Sequence, residues 1–176
     1  IYDKLIKNLD EKKSSCAIFL DLANAFDSVN HQILLRKLHC YGIRGKALNL
    51  FKSYLSSRFQ FVKLPNGTKS FLTEVDFGVP QGSILGPILF LLFINDLPCA
   101  TNLYIKLFAD DTFLCAQNKN FASLQREVNT ELDKVFVWLA SNKLTLNIKK
   151  SKSMLVTNKQ NIPDFCVKIN DSPLDT

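Results

Sequence analysis

Cys16-Ala-Ile-Phe-Leu-Asp-Leu22 is a short, nearly continuous apolar run that is interrupted near its end by a single carboxylate. Its length and its content of strand-forming residues predict a buried central strand of a sheet. A carboxylate is costly to bury unless hydrogen-bond donors, a cation or a metal compensate it. Asp21 is therefore the first residue that the fold alone does not explain.

Further elements are predicted on both sides of this run. Residues 1–9 carry apolar side chains at the spacing of one helical face. Downstream, the pattern predicts two helices, a hairpin, a buried helix, a second hairpin, a long helix and two short strands. Their ranges are, in that order, about 33–41, 45–56, 59–63 with 71–77, 88–97, 103–108 with 112–116, 121–140, 144–148 and 153–156. This order indicates an α+β domain over residues 1–176, in which helices cover an antiparallel sheet.

Composition places the chain among globular proteins with a modest basic charge. It has 176 residues, with 22 lysines and arginines against 16 aspartates and glutamates, a formal charge of +6 and 47% apolar residues. This mixture excludes a disordered or collagen-like chain. The longest apolar run, Ile88 to Ile94, is far shorter than the ~20 residues of a membrane helix. We therefore expect an intracellular protein with no membrane partner, in the nucleus or the cytoplasm.

The cysteines and the charge bear on possible ligands. Five cysteines without a C-x-x-C pair argue against a zinc site or a disulfide framework. The basic excess is compatible with a polyanionic partner such as a nucleic acid.

Two further carboxylates interrupt the second predicted hairpin. Asp110 and Asp111 stand between two apolar strands. If these strands neighbour the central one, Asp21 and Asp110 meet at one edge of the sheet, where converging carboxylates repel each other and favour a Mg²⁺ counterion. Two such ions about 4 Å apart would serve a phosphoryl or nucleotidyl transfer. The structural alternative is that Asp110 and Asp111 form a common turn pair and that Asp21 caps a turn.

A glycine-rich segment, Gly78-Val-Pro-Gln-Gly-Ser-Ile-Leu-Gly-Pro87, lies between the two hairpins. Its glycines and prolines fix an unusual backbone path that lets main chain approach a sugar or a base closely. Gln81 and Ser83 supply hydrogen-bond donors. The segment lacks the G-K-[ST] ending of a P-loop, so the alternative is a rigid turn that leads into the buried helix.

Four segments, taken together and in order, resemble the successive motifs of reverse transcriptases. They are Phe19-Leu-Asp-Leu-Ala-Asn-Ala-Phe-Asp-Ser-Val-Asn-His31, Gly78 to Pro87, Phe108-Ala-Asp-Asp111 and Leu144-Thr-Leu-Asn-Ile-Lys-Lys-Ser151. The match is to the non-LTR retrotransposon type, as in jockey-like elements, and it extends over about residues 1–174. Asn24 stands where these enzymes usually carry a lysine, a departure that touches no metal ligand.

The resemblance implies the palm of the polymerase right hand with part of the fingers. Residues 1–176 would then form a fragment without the upstream fingers and the thumb. The implied function is that of an RNA-directed DNA polymerase, which adds deoxynucleotides to a primer 3′-end on an RNA template during retrotransposon copying. Two Mg²⁺ ions, for which Mn²⁺ can substitute, would be held by the Asp21 carboxylate, the Leu22 carbonyl and the Asp110 carboxylate, with Asp111 as the supporting member.

The same resemblance implies residues that bind the deoxynucleoside triphosphate. Phe26 takes the place of an aromatic that stacks under the incoming sugar and would collide with a ribose 2′-hydroxyl; the alternative is an ordinary core phenylalanine. Lys150 would neutralise or protonate pyrophosphate, the alternative being a solvated basic run. Three residues of the glycine-rich segment would contact the nucleotide and the template–primer backbone: Gln81, Gly82 and Ser83.

Two other functions stay open at the level of the sequence. One is a non-catalytic, nucleic-acid-binding palm that remains from a decayed element, against which the three intact aspartates argue. The other is a palm polymerase that copies RNA into RNA, against which the aromatic at Phe26 argues. Basic residues interleaved with aromatics between positions 36 and 59 suit a nucleic-acid track, although a solvated helix face is the commoner meaning.

Overall fold

The computed structural model describes residues 2–175, which divide into two compact units. The sheet unit comprises Ile1–Ala23 and Asp96–Thr176, and the helical unit comprises Asn24–Asn95. In chain order the elements are α1 (Tyr2–Asp10), β1 (Ser14–Leu20), β2 (Leu22–Ala23), α2 (His31–Cys40), α3 (Gly45–Leu55), β3 (Phe59–Gln60), β4 (Thr73–Glu74), α4 (Leu85–Ile94), β5 (Tyr104–Phe108), β6 (Asp111–Asn118), α5 (Phe121–Ser141), β7 (Thr145–Leu146), β8 (Lys152–Val156), β9 (Lys168–Ile169) and β10 (Ser172–Pro173), with 3-10 turns at Phe26–Ser28 and Leu97–Ala100.

The predicted central strand is an interior strand of the main sheet. This antiparallel sheet has the order β5-β6-β1-β8. β1 begins at Ser14 rather than at Cys16, and its pairing with β6 ends where Leu20 lies opposite Thr112. Cys16, together with the two residues that follow it, is completely buried. The α+β prediction, an antiparallel sheet with helices against it, is confirmed.

Two helices cover this sheet. α5 packs against β1 and β6, and it begins at a cap in which Asn120 Oδ1 accepts from the Ser123 N–H at 3.0 Å. Its buried apolar residues follow helical spacing: Leu124, Val128, Leu132, Val135 and Leu139. α1 contributes Leu5 to a cluster around Ala17, and Asn8 Nδ2 donates to Ser15 Oγ at 2.8 Å. Apolar contact and buried hydrogen bonds therefore both fix the sheet.

The helical unit is built around the apolar helix α4. Its residues Leu89, Phe90 and Phe93 are completely buried. α2 begins at a cap in which Asn30 Oδ1 accepts from the Ile33 N–H at 3.0 Å. α4 starts at Leu85, earlier than the apolar pattern predicts, because the glycine-rich segment already turns into the helix.

The first hairpin is present, but its strands are shorter than predicted. Only β3 and β4, two residues each, form a ladder, and a single bridge between Lys63 and Lys69 extends it toward the turn. Nearly all side chains of the hairpin are exposed, Phe71 to 95%. Because alternating sequence forms long strands chiefly when one face is buried, the exposed hairpin keeps little regular pairing.

Among residues 2–175, no helix combines the length and the apolar character that crossing a membrane requires.

Candidate active site

The three aspartates singled out by the sequence lie at one end of the main sheet. Pairing of β1 with β6 ends at Leu20 and Thr112, so Asp21 directly follows the last paired residue of β1, and Asp111 directly precedes the last residue of β6 that pairs with β1. Asp110 occupies the tight turn before β6, and Ala109 beside it has a φ of +52°. Two segments 89 positions apart in the chain therefore place Asp21 and Asp110 at the same end of the sheet.

The main chain of Asp21 is held by hydrogen bonds to the last of the four motifs, residues 144–151. Its N–H donates to Ser151 Oγ at 3.1 Å, and its carbonyl accepts from the Asn147 N–H at 2.8 Å. Ser151 is completely buried, and its hydroxyl donates to the Asn147 carbonyl at 2.9 Å. Beyond Asp21, Leu22 pairs with Leu146 in the two-stranded ladder of β2 and β7. These bonds fix both peptide groups of Asp21 without using its side chain.

Lys150 belongs to this same turn. Its N–H donates to the Asn147 carbonyl at 3.2 Å, and its side chain is exposed. The spacing of Asn147, Lys150 and Ser151 is visible in the sequence, but no role was predicted for Asn147 or Ser151. Their role is to hold the residue that carries the first carboxylate.

The donor set suits a hard divalent cation that is shared with substrate. Asp21 and Asp110 are half-buried and Asp111 is exposed. Within residues 2–175 none of the three carboxylates forms a hydrogen bond or an ion pair, and no three acidic, histidine or cysteine side chains are close enough to hold a metal by themselves. Mg²⁺ is usually held by one or two carboxylates together with water and substrate phosphates, so a pair of carboxylates fits this ion.

Phe26 lies in the helical unit, in the 3-10 turn before α2. Its half-buried ring packs on the buried Phe90 of α4, with ring centroids 4.5 Å apart and an interplanar angle of 31°. The Phe26 carbonyl accepts from the Val79 N–H at 2.8 Å. The ring is therefore anchored on one face by the core.

The glycine-rich segment is seated directly on this turn. Gly78 has a φ of +85°, and a Cβ at this position would lie 2.9 Å from the Cα of Asp27. The Gly78 N–H donates to the Val29 carbonyl at 2.8 Å, and its own carbonyl lies 2.7 Å from His31 Nε2. Only a residue without a side chain permits this contact. Neither Asp27 nor His31 was predicted from the sequence to contact this segment.

The three predicted nucleotide contacts of this segment differ in their surroundings. Gln81 is exposed, and its Nε2 donates to Asp27 Oδ1 at 2.8 Å. Gly82 has a φ of +78° with open space at its missing Cβ. The hydroxyl of Ser83 donates to the Pro80 carbonyl at 2.7 Å and accepts from the Gly86 N–H at 3.0 Å, so it closes the turn into α4.

The largest shift of a carboxylate pKa is that of Glu131, which lies away from the three aspartates. Glu131 of α5 is buried; although burial raises its pKa, hydrogen bonds from Lys134, Asn102 and Thr101 outweigh this and lower the pKa to about 2. Lys134 Nζ lies 2.5 Å from Oε1, and the Asn102 N–H donates to Oε2 at 2.6 Å. Glu131 thus ties the loop before β5 to α5 as an ionised group.

The buried thiols carry no nucleophile. Burial raises the pKa of Cys16 to about 12, and burial also raises the pKa of Cys115. Both thiols are therefore protonated at neutral pH and behave as small apolar side chains.

Comparison with known proteins gives one family. The family model described as reverse transcriptase (RNA-dependent DNA polymerase) matches residues 3–168. The chain is 28% identical over 170 residues to the RNA-directed DNA polymerase from mobile element jockey of Drosophila melanogaster, which covers 88% of this chain and 18% of that protein. It is 29% identical over 168 residues to the probable RNA-directed DNA polymerase from transposon X-element of the same organism, covering 93% of this chain and 18% of that protein.

Solved structures show the same fold at low sequence identity. A telomerase from Candida tropicalis in complex with a fragment of telomeric RNA superposes with a TM-score of 0.64 at 13% identity, over 92% of this chain and 30% of that one. A telomerase from Candida albicans gives a TM-score of 0.60 at 15% identity, over 96% and 33%. The chain spans about a fifth of the length of the curated relatives named above.

Proposed function

The chain belongs to the reverse transcriptase family, and from that premise we propose that it carries the catalytic carboxylates and the nucleotide contacts of an RNA-directed DNA polymerase. The reaction is the addition of deoxynucleotides to a primer 3′-end on an RNA template, in the copying of a retrotransposon. The observation that supports this proposal is the register of the sheet, which ends the pairing of β1 with β6 directly beside Asp21 and Asp111, with Asp110 in the adjoining turn.

In this proposal the sheet unit supplies the electrostatics. The carboxylates of Asp21 and Asp110, with the Leu22 carbonyl, would hold Mg²⁺, and Asp111 would support them. When bound, a pair of such ions stabilises the attacking and leaving oxygens of a nucleotidyl transfer. The absence of protein partners for these carboxylates among residues 2–175 supports the assignment, because converging unpaired carboxylates need a counter-charge. Lys150, exposed in the turn that holds Asp21, would meet the negative charge of pyrophosphate.

The helical unit supplies residues for the nucleotide. Phe26 would lie under the incoming sugar, and its anchorage on Phe90 favours a fixed ring over a mobile one. A fixed ring is what discrimination against a 2′-hydroxyl requires, because a mobile ring would move aside. Gln81, Gly82 and Ser83 would contact the nucleotide and the template–primer backbone, with Ser83 acting through the turn that its hydroxyl closes.

Binding of Mn²⁺ in the presence of a deoxynucleoside triphosphate tests this proposal. It is measured on the unmodified chain, on Asp21→Ala and on Asp110→Ala by electron paramagnetic resonance, with circular dichroism to show that the variants fold. We expect each single substitution to weaken the same Mn²⁺ site at least tenfold, because each removes one shared carboxylate ligand. Asp164→Ala, which removes an exposed carboxylate without a proposed role, is the matched control.

The opposite outcome is equally clear. If both aspartate variants fold and bind Mn²⁺ as the unmodified chain does, the two aspartates are unrelated turn residues. The polymerase mechanism would then have to be abandoned for this chain.

A further inference from the structure

The side chain of Gln81 forms a hydrogen bond that its proposed contact with the nucleotide does not by itself require. Its Nε2 donates to Asp27 Oδ1 at 2.8 Å, across 54 positions of sequence. Both side chains are exposed, and within residues 2–175 neither forms another hydrogen bond or ion pair through its side chain. An exposed bond of this kind contributes little to stability, so its value must lie in what it does to the orientation of the amide.

The two residues are carried on segments that are locked together by their main chains. Gly78 and Val79 donate their N–H groups to the carbonyls of Val29 and Phe26, each at 2.8 Å. A Cβ at Gly78 would lie 2.9 Å from the Cα of Asp27, so the two backbones touch at this point. Asp27 is therefore held at a fixed place beside the loop that carries Gln81, and a fixed acceptor can direct a neighbouring side chain.

The chemistry of the pair determines which way the amide points. An ionised carboxylate accepts hydrogen bonds and donates none, so the NH₂ group of Gln81 must face Asp27. The amide oxygen Oε1 then faces away from Asp27 and is left as an acceptor. Both side chains line a cavity of about 390 Å³ within the helical unit, together with Arg58, so there is room for a ligand beside them.

We propose that Asp27 is a positioning residue, which orients the Gln81 amide so that Oε1 is presented to a hydrogen-bond donor of the incoming deoxynucleotide. The inference rests on the proposed function, in which Gln81 contacts that nucleotide. Without Asp27 the amide samples both orientations and several rotamers, and part of the binding free energy is spent on ordering it.

The first measurement tests whether Asp27 orders the Gln81 amide in the absence of metal and nucleotide. In NMR spectra of the full chain, the side-chain NH₂ signals of Gln81 should be distinct from those of a free glutamine and ordered. In Asp27→Ala they should move to the free position and become mobile. Asp27→Glu, which keeps a carboxylate that only accepts hydrogen bonds, should restore the ordered signals. The control is Asp76→Ala, which removes another exposed aspartate of the same unit and should leave the Gln81 signals unchanged.

The second measurement is the dissociation constant of dATP with Mn²⁺, determined by calorimetry on the same variants. Asp27→Ala should weaken binding about threefold to tenfold, the effect of releasing one ordered side chain. Asp27→Glu should bind within about twofold of the unmodified chain. In a Gln81→Ala background, Asp27→Ala should cause no further loss, because Asp27 acts through Gln81.

Each contrary outcome has a different meaning. If the unmodified chain binds no dATP with Mn²⁺, the proposed function fails, and the positioning role falls with it. If the chain binds dATP but Asp27→Ala binds equally well, the positioning role alone is wrong. It is also wrong if Asp27→Ala causes the same loss in the Gln81→Ala background, or if Asp76→Ala weakens binding as much.

Discussion

The sheet unit and the helical unit hold their candidate site residues by different means. In the sheet unit, the Asp21 N–H donates to Ser151 Oγ and the Asp21 carbonyl accepts from the Asn147 N–H, so both of its peptide groups are fixed by hydrogen bonds. In the helical unit, main-chain hydrogen bonds also hold Gly78 and Val79, but here Gly78 lies so close to Asp27 that an added Cβ would be 2.9 Å from the Asp27 Cα. The hydrogen bonds to the main chain of Asp21 can form whatever side chain this residue carries. The close approach of Gly78 to Asp27 is possible only because glycine has no side chain. The carboxylates of the sheet unit should therefore be replaceable without loss of fold, while the glycine of the helical unit should not be.

Replacing Asp110 by alanine should give the largest effect on function and a small effect on the fold. The substitution removes a proposed metal ligand and should cost about 4 kcal/mol of transition-state stabilisation, or roughly 10³-fold in rate. The measurement is Mg²⁺-dependent primer extension by a polymerase that contains this chain, with Asp164→Ala as the control. Unchanged extension would contradict the catalytic assignment, and loss of fold would contradict the claim that the main chain at this edge is held independently of its side chains.

Replacing Gly78 by alanine should damage the helical unit. A Cβ would lie 2.9 Å from the Cα of Asp27, and the φ of +85° is strained for any L side chain. We expect a loss of about 3 kcal/mol in the free energy of unfolding, measured in urea. Gly42→Ala is the matched control, because Gly42 has a φ of +92° but open space at its missing Cβ. It should cost only the backbone strain, about 1 kcal/mol.

Equal losses in the two glycine variants would show that backbone strain alone matters at Gly78. The contact with Asp27 would then not be the anchor of the loop.

Low pH should weaken the hydrogen bonds by which Glu131 joins the loop before β5 to α5. Hydrogen bonds outweigh burial and hold the pKa of Glu131 at about 2, below its ordinary value of 4.5. A depressed carboxylate pKa gives stability that is present above pH 4.5 and is lost as the pH falls toward 2; the shift corresponds to about 3 kcal/mol. In urea unfolding, Glu131→Gln should be less stable than the unmodified chain at pH 7, and the difference should shrink at pH 3. A difference that does not vary with pH would show that the charge of Glu131 is not what ties the loop before β5 to α5.

Much of this fold follows from patterns in the sequence. The central strand and α5 were predicted closely, because burial imposes a clear period on their apolar residues. The hairpin between α3 and α4 was predicted too long, because its alternating apolar residues are exposed and lack a core to pair over. The division after Ala23 and after Asn95 was not predicted, because no linker-like stretch marks either boundary, although residues 24–95 contain all six glycines and eight of the 22 lysines and arginines against three of the 16 aspartates and glutamates.

Only part of the candidate site was predicted, because only some of its residues are unusual at their positions in the sequence. Asp21 and Asp110 stand out because a carboxylate is unusual in an apolar strand or between two of them. Asn147, Ser151 and Asp27 do not stand out, because polar residues are common in turns. Which partner each of them binds depends on contacts between distant segments, and no local pattern encodes that choice.

Replacing Ser151 by alanine should give the smallest of the predicted effects. It tests directly whether hydrogen bonds to the main chain of Asp21 position this residue in the sheet unit. The buried hydroxyl accepts from the Asp21 N–H and donates to the Asn147 carbonyl, so its loss leaves a donor without its partner. We expect the free energy of unfolding in urea to fall by about 2 kcal/mol. The exposed Ser53→Ala in α3 should change it by less than about 0.5 kcal/mol. If Ser151→Ala also weakens Mn²⁺ binding while Asp21 is intact, the main-chain clamp sets the position of the carboxylate; if binding is unchanged, pairing within the sheet suffices to position it.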